Sequence, residues 1–469
     1  TFLSGSDRVS WDLGEGGGYV ANSNLSYTYP DGITKTVTLR TNKLSNLKEF
    51  KSNSDNIVGQ LNMSGWDNLG GTFYTYSNPL LTGITHTTST QTFSQYLASG
   101  CNLTGNHDMS MLPGLGGGFS VSSNPLLTGI THTASTETFS QYLAFSCGLT
   151  GNHDVSMFPK LGGQFQINSN PLLTGITHTA STEVFYNYRA DSCGLTGNHD
   201  MSMFPNLGGQ FQIYSNTNLT GITHTESTET FSVYYAYSCD LTGNHDMSMF
   251  PKLGGYFYIS ANPLLTSITH TASTEVFSNY QANSCGLTGN HDMSMFPKLG
   301  GLFYINANPN LTGITHTTST EVFSHYRANS CDLTGNHDMS MFPGLGGNFH
   351  IHSNTNLTGI THTASTEVFT QYYAFSCNLN YVNFLPLSGA TIAPVIQLQS
   401  NSMSVTDVNH ILVDFDNIST NLNPSGWTGT TLDISGTNAA PDSSSGGFNG
   451  IAALSSLTGG TNNWTITTS

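Results

Sequence analysis

Residues 119–149, FSVSSNPLLTGITHTASTETFSQYLAFSCGL, contain the pattern that decides the fold. Asn124 and Cys147 lie 23 residues apart, and apolar or aromatic residues stand five and three positions before each of them. The frame repeats along the chain, with asparagine and cysteine each returning every 46 residues. We call the residues at this position the ladder residues: Asn78, Cys101, Asn124, Cys147, Asn170, Cys193, Asn216, Cys239, Asn262, Cys285, Asn308, Cys331, Asn354 and Cys377.

This frame closely resembles the leucine-rich repeat, LxxLxLxxN/CxL, and the LTG that follows resembles the repeat class with LTGxI after the ladder residue. The resemblance covers roughly residues 45–403, although tyrosine and phenylalanine replace many leucines. It implies a repeat solenoid, an arc of about sixteen coils with a parallel concave β-sheet, few helices and capped ends. One 23-residue unit cannot bury its own apolar stripe, whereas stacked units share a continuous core.

The flanking segments are expected to close the ends of the solenoid. Residues 1–44 contain the strand pattern TKTVTLRTN and are predicted to form an N-terminal cap with β strands. Residues 404–469 are predicted to form a capping helix over SVTDVNHILVDF, where apolar residues follow helical spacing, and then a small β-α-β module. This module resembles terminal modules that follow repeats in bacteriophage and bacterial surface proteins.

The composition excludes several classes of partner. The 469 residues include 11 lysines and arginines against 28 acidic residues, so the clustered cations that bind nucleic acid or anionic membranes are missing. No apolar run approaches the roughly 18 residues of a membrane span, and no leader pattern is visible. Abundant Ser, Thr, Asn and Gly with few lysines indicate an extracellular location, or one on a virion or cell surface.

The repeated stretch CGLTGNHD, at residues 147–154, carries a cysteine, a histidine and an aspartate at fixed spacing. Successive cysteines lie two coils apart, roughly 9 to 10 Å by the strand spacing, whereas a disulfide needs Cα atoms within about 7 Å. Each thiol is also alone in its layer, so several ligands do not converge on one zinc ion. We expect free structural thiols, with no metal and no cofactor.

The histidines occupy a slot that Leu61 fills in the first coil, which indicates an inward position. Period-two alternation in a short second strand turns His107 inward and Asp108 outward, which argues against a His–Asp dyad. We expect neutral, buried histidines hydrogen-bonded to Thr85, Thr87 or backbone groups, and a row of metal ligands is the alternative. The chain lacks a nucleophile elbow, a phosphate loop and an HExxH helix, so no enzymatic activity is predicted.

The copies differ mainly four and two residues before each ladder residue, at positions that are predicted to face outward from the concave sheet. The residues there are rich in Tyr, Phe, Gln, Asn, His and Arg, as binding surfaces are. We predict a non-enzymatic recognition or adhesion scaffold for a cell-surface protein or glycan. The alternative is a structural subunit of an extracellular filament, fibre or coat that contacts copies of itself. The predicted binding residues are Tyr74, Tyr76, Gln166, Arg189, Gln212, Tyr214, Tyr235, Tyr237, Tyr258, Gln281, Tyr304, Arg327, His350, His352 and Tyr373.

Overall fold

The computed structural model describes residues 2–3, 7–12, 19–21, 38–41 and 49–469, and side chains from residue 49 onward except those of 392–394. The chain divides into two compact units, Thr1–Leu195 (unit 1) and Thr196–Ser469 (unit 2). Within the predicted N-terminal cap, Asp7–Asp12 pairs antiparallel with Phe2–Leu3, Tyr19–Ala21 and Thr38–Thr41. The rest of that predicted cap lies outside the described residues.

Both units are built from parallel coils of about 23 residues, about fifteen in total, so the chain is a parallel β-solenoid. Each coil contributes one strand to a parallel ladder sheet, and we call these the ladder strands. In unit 1 they are Phe50–Lys51, Gly71–Tyr74, Phe93–Leu97, Gly117–Ser120, Phe139–Leu143, Leu161–Gln166 and Phe185–Arg189. In unit 2 they are Leu207–Gln212, Phe231–Tyr235, Leu253–Tyr258, Phe277–Gln281, Leu299–Tyr304, Phe323–Arg327, Leu345–His350, Val368–Tyr373, Thr391–Gln397, Thr431–Asp433 and Thr465–Thr467.

A second strand follows the ladder residue in most coils, and these second strands associate only in parallel pairs. Each second strand that follows a ladder cysteine pairs with the one that follows the ladder asparagine of the next coil, and Gly59–Met63 of the first coil pairs in the same way. The pairs in unit 1 are Gly59–Met63 with Leu81–His86, Gly105–Asp108 with Leu127–Thr131, and Thr150–Asp154 with Leu172–Thr177. Those in unit 2 are Thr196–Asp200 with Asn218–Thr223, Gly243–Met247 with Leu265–His270, Thr288–Met293 with Asn310–His316, and Gly335–Asp338 with Leu357–Thr361.

A stack of aromatic rings from the ladder strands fills the interior of each unit. The Phe257 ring centroid lies 5.4 Å from that of Tyr234 and 5.1 Å from that of Tyr280, with planes 21° and 24° apart. Rings stack at this distance because a strand spacing of about 4.8 Å places one ring in each coil. All three side chains are fully buried. Burial of each such ring contributes roughly 1.5–3 kcal/mol, so these rings supply much of the core stabilisation.

The ladder residues satisfy buried backbone groups. Asn262 Nδ2 donates to the carbonyl oxygen of Ile259 at 2.6 Å, and its Oδ1 accepts from the backbone N–H of Leu241 at 3.2 Å. Cys285 Sγ donates to the carbonyl oxygen of Ile259 at 3.4 Å. In the cysteine layer the corresponding N–H belongs to Leu264, which is 53% exposed. Asparagine therefore stands where a buried acceptor is needed, and cysteine where a donor suffices.

The two α-helices lie near the C-terminus of unit 2. Helix α1 spans Val405–Asn417 and begins with a capping box between Ser404 and Asp407. Helix α2 spans Gly450–Thr458 and begins after Asn449. No helix in the described part of the chain is long and apolar enough to cross a lipid bilayer. The short helical segments are Leu385–Gly389, Ile418–Leu422 and Ser445–Gly447.

The last strands of the chain continue the ladder sheet of unit 2. Thr431–Asp433 pairs in parallel with Thr391–Gln397 and with Thr465–Thr467. Asn438 Nδ2 donates to the carbonyl oxygen of Leu398 at 2.9 Å, as a ladder asparagine does. The segment that was predicted from the sequence to be a β-α-β module therefore contributes its two strands to the ladder sheet of unit 2.

Candidate functional site

The repeated histidines are held by tyrosines of the ladder strands. Tyr280 Oη lies 3.0 Å from His270 Nε2 and 2.8 Å from His291 Nε2. The predicted partners Thr85 and Thr87 were wrong, because alternation turns the threonines away from the core side on which the histidines lie. The same buried cluster occurs as His86–Tyr96–His107, His132–Tyr142–His153, His224–Tyr234–His245 and His316–Tyr326–His337.

The electrostatics of these clusters indicate a structural role. Burial lowers the pKa of His291 to about 4, raises the pKa of the Tyr280 hydroxyl well above its usual value, and raises the pKa of the Cys285 thiol to about 11. All three groups are therefore uncharged at neutral pH, and a thiol with a raised pKa is a poor nucleophile. Asp292 is exposed, on the opposite face from His291. Within residues 49–469, no group of three or more His, Cys, Asp or Glu is placed to hold a metal ion.

Shallow grooves lie between successive pairs of second strands. In unit 2 a groove of 410 Å³ is lined by Thr312, Thr315, His316 and Asn336, and the corresponding residues of an earlier repeat line one of 270 Å³. The grooves form where the two neighbouring strands are joined only near their starts, as where Thr334 N donates to Thr312 O at 3.0 Å. The lining hardly changes between the two copies, so the grooves give little basis for selecting a ligand.

The outward residues of the ladder strands lie six, four and two positions before each ladder residue, and we call this surface the ladder face. In unit 1 it carries the predicted residues Tyr74, Tyr76, Gln166 and Arg189, which are partly exposed. The rings of Tyr74 and Tyr76 lie 5.8 Å apart. Arg189 Nε lies 3.0 Å from Asp191 Oδ1, in an ion pair on one strand. The structure therefore places these four residues on the same face without joining them into one cluster.

The ladder face of unit 2 carries a first aromatic cluster on neighbouring strands. Tyr214 stacks on Tyr237 with ring centroids 4.5 Å apart, and Tyr235 stacks on Tyr258 at the same distance. Tyr256 lies edge-on to Tyr258 at 6.3 Å and is 44% exposed. Desolvation within the cluster raises the pKa of Tyr258 to about 12, so its hydroxyl stays protonated as a hydrogen-bond donor.

A second aromatic cluster lies farther along the same face. His350 stacks on Tyr373 with centroids 4.6 Å apart, and His352 stacks on Phe375 at 4.3 Å. Burial lowers the pKa of His350 to about 4, and its neutral ring donates from Nε2 to Gln371 Oε1 at 2.9 Å. The cluster is therefore uncharged at neutral pH.

Arg327 and Tyr304 extend the second cluster toward the first. The guanidinium carbon of Arg327 lies 4.9 Å from the centroid of the Tyr304 ring, a cation–π distance. His325, on the same strand as Arg327, lies edge-on to Tyr304, with ring centroids 6.0 Å apart. Arg327 is thus a cation held over an aromatic ring on a partly exposed surface.

A polar lane separates the two clusters in the column that lies two positions before the ladder residues. It consists of Ser260, Asn283, Asn306 and Asn329, all partly exposed. Ser260 Oγ donates to Asn283 Oδ1 at 2.7 Å, whereas the Asn306 side chain makes no hydrogen bond within the described residues. Strands lie about 4.8 Å apart, so the four side chains follow one another along roughly 14 Å. The lane offers amide donors and acceptors between two aromatic boundaries.

The column six positions before the ladder residues was missed from the sequence. It adds Tyr256, Asn279 and His325 to the ladder face of unit 2. Asn279 accepts at Oδ1 from Gln281 Nε2 at 3.1 Å and donates to the hydroxyl of Tyr258. Gln212 Nε2 likewise donates to Gln210 Oε1 of this column at 3.3 Å. Extending period-two alternation one step toward the N-terminus would have found the column, which varies between copies as the other two do.

Comparison with protein-family models, with curated proteins and with solved structures finds no match to this chain. The assignment of the fold therefore rests on strand pairing and coil spacing.

Proposed function

We propose that the protein is a non-enzymatic recognition module of an extracellular, virion or cell surface, and that it binds a glycan through the ladder face of unit 2. The observation that carries the proposal is the polar lane of Ser260, Asn283, Asn306 and Asn329 between two aromatic clusters. Amides with unused hydrogen-bonding groups suit the hydroxyls of a sugar, and aromatic residues supply rigid contact area.

A glycan fits this face better than a protein surface does. The lane has no apolar pocket for an anchoring side chain, and Tyr256 is the most exposed large apolar residue of the unit 2 ladder face. The resemblance of the coils to leucine-rich repeats, and of the terminal module to bacteriophage and bacterial surface proteins, supports a solenoid displayed outside a cell or on a virion.

Binding of the full chain to a glycan array and to cells tests the proposal. Tyr237→Ala and Asn306→Ala are expected to weaken binding about tenfold or more, as central contact residues do. Tyr74→Ala, an outward tyrosine of unit 1, is the matched control and should leave binding unchanged. Thermal melts of each variant separate lost contacts from lost folding.

Attachment that is equal for all three variants and the parent chain would contradict the proposal. Binding to proteins but to no glycan would make a protein the partner. Ordered filaments of the purified chain in negative-stain images, lost in Tyr237→Ala, would instead support the structural-subunit alternative.

A further inference from the structure

Two arginines occupy the same position of the ladder face in different coils and differ in their partners. Arg189 in unit 1 donates from Nε to Asp191 Oδ1 at 3.0 Å and from Nη2 to Asp191 Oδ2 at 3.3 Å. Arg327 in unit 2 has Asn329 at the position that Asp191 occupies. An internal carboxylate thus neutralises the first arginine, whereas a neutral amide stands beside the second.

Within the part of the chain that the structure describes, no other group takes the place of that carboxylate. Arg327 Nε is buried and has no hydrogen-bond partner. The ladder face of unit 2 from Gln210 to Phe375 contains no Asp or Glu, and Arg327 is the one Lys or Arg side chain on it. In a chain with a net charge of −17, this stretch is a locally cationic surface.

We infer that Arg327 is the receptor for a carboxylate on the ligand, and that the ligand is a carboxylated saccharide. The ligand carboxylate lies against the terminal Nη1 and Nη2 atoms of the partly exposed Arg327 side chain, because a planar guanidinium donates two parallel hydrogen bonds to a carboxylate. The inference rests on the proposed glycan-binding function and specifies the substrate class of the same face.

The neighbours of Arg327 favour a sugar over an acidic peptide. Asn306 and Asn329 lie next to it in the polar lane and offer amides to sugar hydroxyls. The Arg327 guanidinium already lies over the Tyr304 ring in a cation–π contact, so this contact positions the cation before the ligand binds. An acidic peptide would need a sheet edge or apolar pockets for its other side chains, and the central strands of this face present neither.

The test measures binding of the full chain to oligosaccharides that contain uronic or sialic acid, to the same oligosaccharides after carboxyl reduction, and to a glutamate-rich peptide. We expect carboxyl reduction to weaken binding at least tenfold. Asn329→Asp restores the internal pair seen in unit 1 and should weaken binding by a similar factor without unfolding the coil. Asp191→Asn is the matched control and should leave this binding unchanged. Arg327→Lys should retain only part of the affinity, because an ammonium lacks the two-bond geometry.

The outcomes separate this inference from the proposed function. If neutral and carboxylated glycans bind equally well and Tyr237→Ala abolishes both, the glycan-binding face stands and the carboxylate receptor is overturned. If no carboxylated glycan binds, or only the peptide does, the inference is overturned as well. If Asn329→Asp binds as tightly as the parent chain, Arg327 is not the receptor.

Discussion

Tyr234 and Tyr235 are adjacent in sequence, yet they belong to two different regions of the coil. Tyr234 points into the core, where its hydroxyl lies between His224 at 2.9 Å and His245 at 2.8 Å. Tyr235 points outward and stacks on Tyr258. The inward tyrosine recurs five residues before every ladder cysteine, whereas the outward position changes to leucine, arginine or glutamine. The inward core positions are therefore repeated from coil to coil, whereas the residues of the ladder face vary.

Of the changes that test the core against the ladder face, lowering the pH should have the largest effect, because it destabilises the core. Burial lowers the pKa of core histidines such as His153, His245 and His337 to about 4, against 6.5 for the ordinary side chain. A depressed pKa in the folded state means that unfolding takes up protons. Stability is therefore fully present above pH 6.5 and is lost as the pH falls from 6.5 through 4, by about 3 kcal/mol for each histidine.

The measurement is the denaturant midpoint of the full chain between pH 7 and pH 4. The midpoint should fall steeply, because many equivalent histidines titrate together. As a control, replacing one whole cluster by His270→Leu and His291→Leu with Tyr280→Phe should reduce the slope, since it removes two titrating groups. A midpoint that stays constant over this range would show that the histidines are not buried as neutral groups.

Removing one core hydroxyl should have the next largest effect. Tyr234→Phe leaves the Nε2 atoms of His224 and His245 without their partner, and an orphaned buried polar group costs about 1–3 kcal/mol each. We expect a loss of roughly 2–4 kcal/mol in the free energy of unfolding. Tyr235→Phe on the neighbouring position should cost under about 1 kcal/mol, because its side chain is partly exposed. Equal losses in the two variants would contradict the assignment of inner and outer tyrosines.

The sequence was sufficient to predict the spacing of the ladder strands and which side chains of each strand point inward or outward. The spacing of the ladder residues predicts the coil, and the Leu61 slot correctly predicts that His107 is buried. It could not supply the tyrosine partner, because Tyr96 is on the preceding ladder strand and meets His107 only across the core. The contrast between Asp191 and Asn329 is readable in the sequence, but its meaning depends on the side-chain geometry of the two arginines.

The ladder residues allow a smaller test within the core. Asn262→Cys keeps a donor for the backbone carbonyl but removes the Oδ1 that accepts from Leu241 N at 3.2 Å. One buried N–H is left unpaired, so the free energy of unfolding should fall by about 1–3 kcal/mol. Cys285→Ser, which keeps a small donor, should cost less. If Asn262→Cys costs nothing in urea unfolding, asparagine and cysteine are interchangeable at this position, against the observed alternation.

The smallest expected effect lies at the junction between face and core. Ser284 separates the outward Asn283 from the inward Cys285 and has a φ of 55°. A residue in this left-handed conformation breaks the period-two alternation, which lets the ladder residue turn inward after an outward neighbour. The conformation is strained for any residue except glycine. Ser284→Gly should therefore stabilise the chain slightly, by up to about 1 kcal/mol, after the entropy that glycine loses on folding.

The chain offers the matched control for this change. Gly100 stands before Cys101 with a φ of 62°, so it occupies the position of Ser284 in an earlier coil. Gly100→Ser should destabilise the chain by a similar small amount, measured as opposite shifts of the melting temperature. If Ser284→Gly lowers the melting temperature instead, the serine is held there by contacts that outweigh its strain. The Ser284 side chain, as well as its left-handed backbone, would then help to direct the polar lane outward.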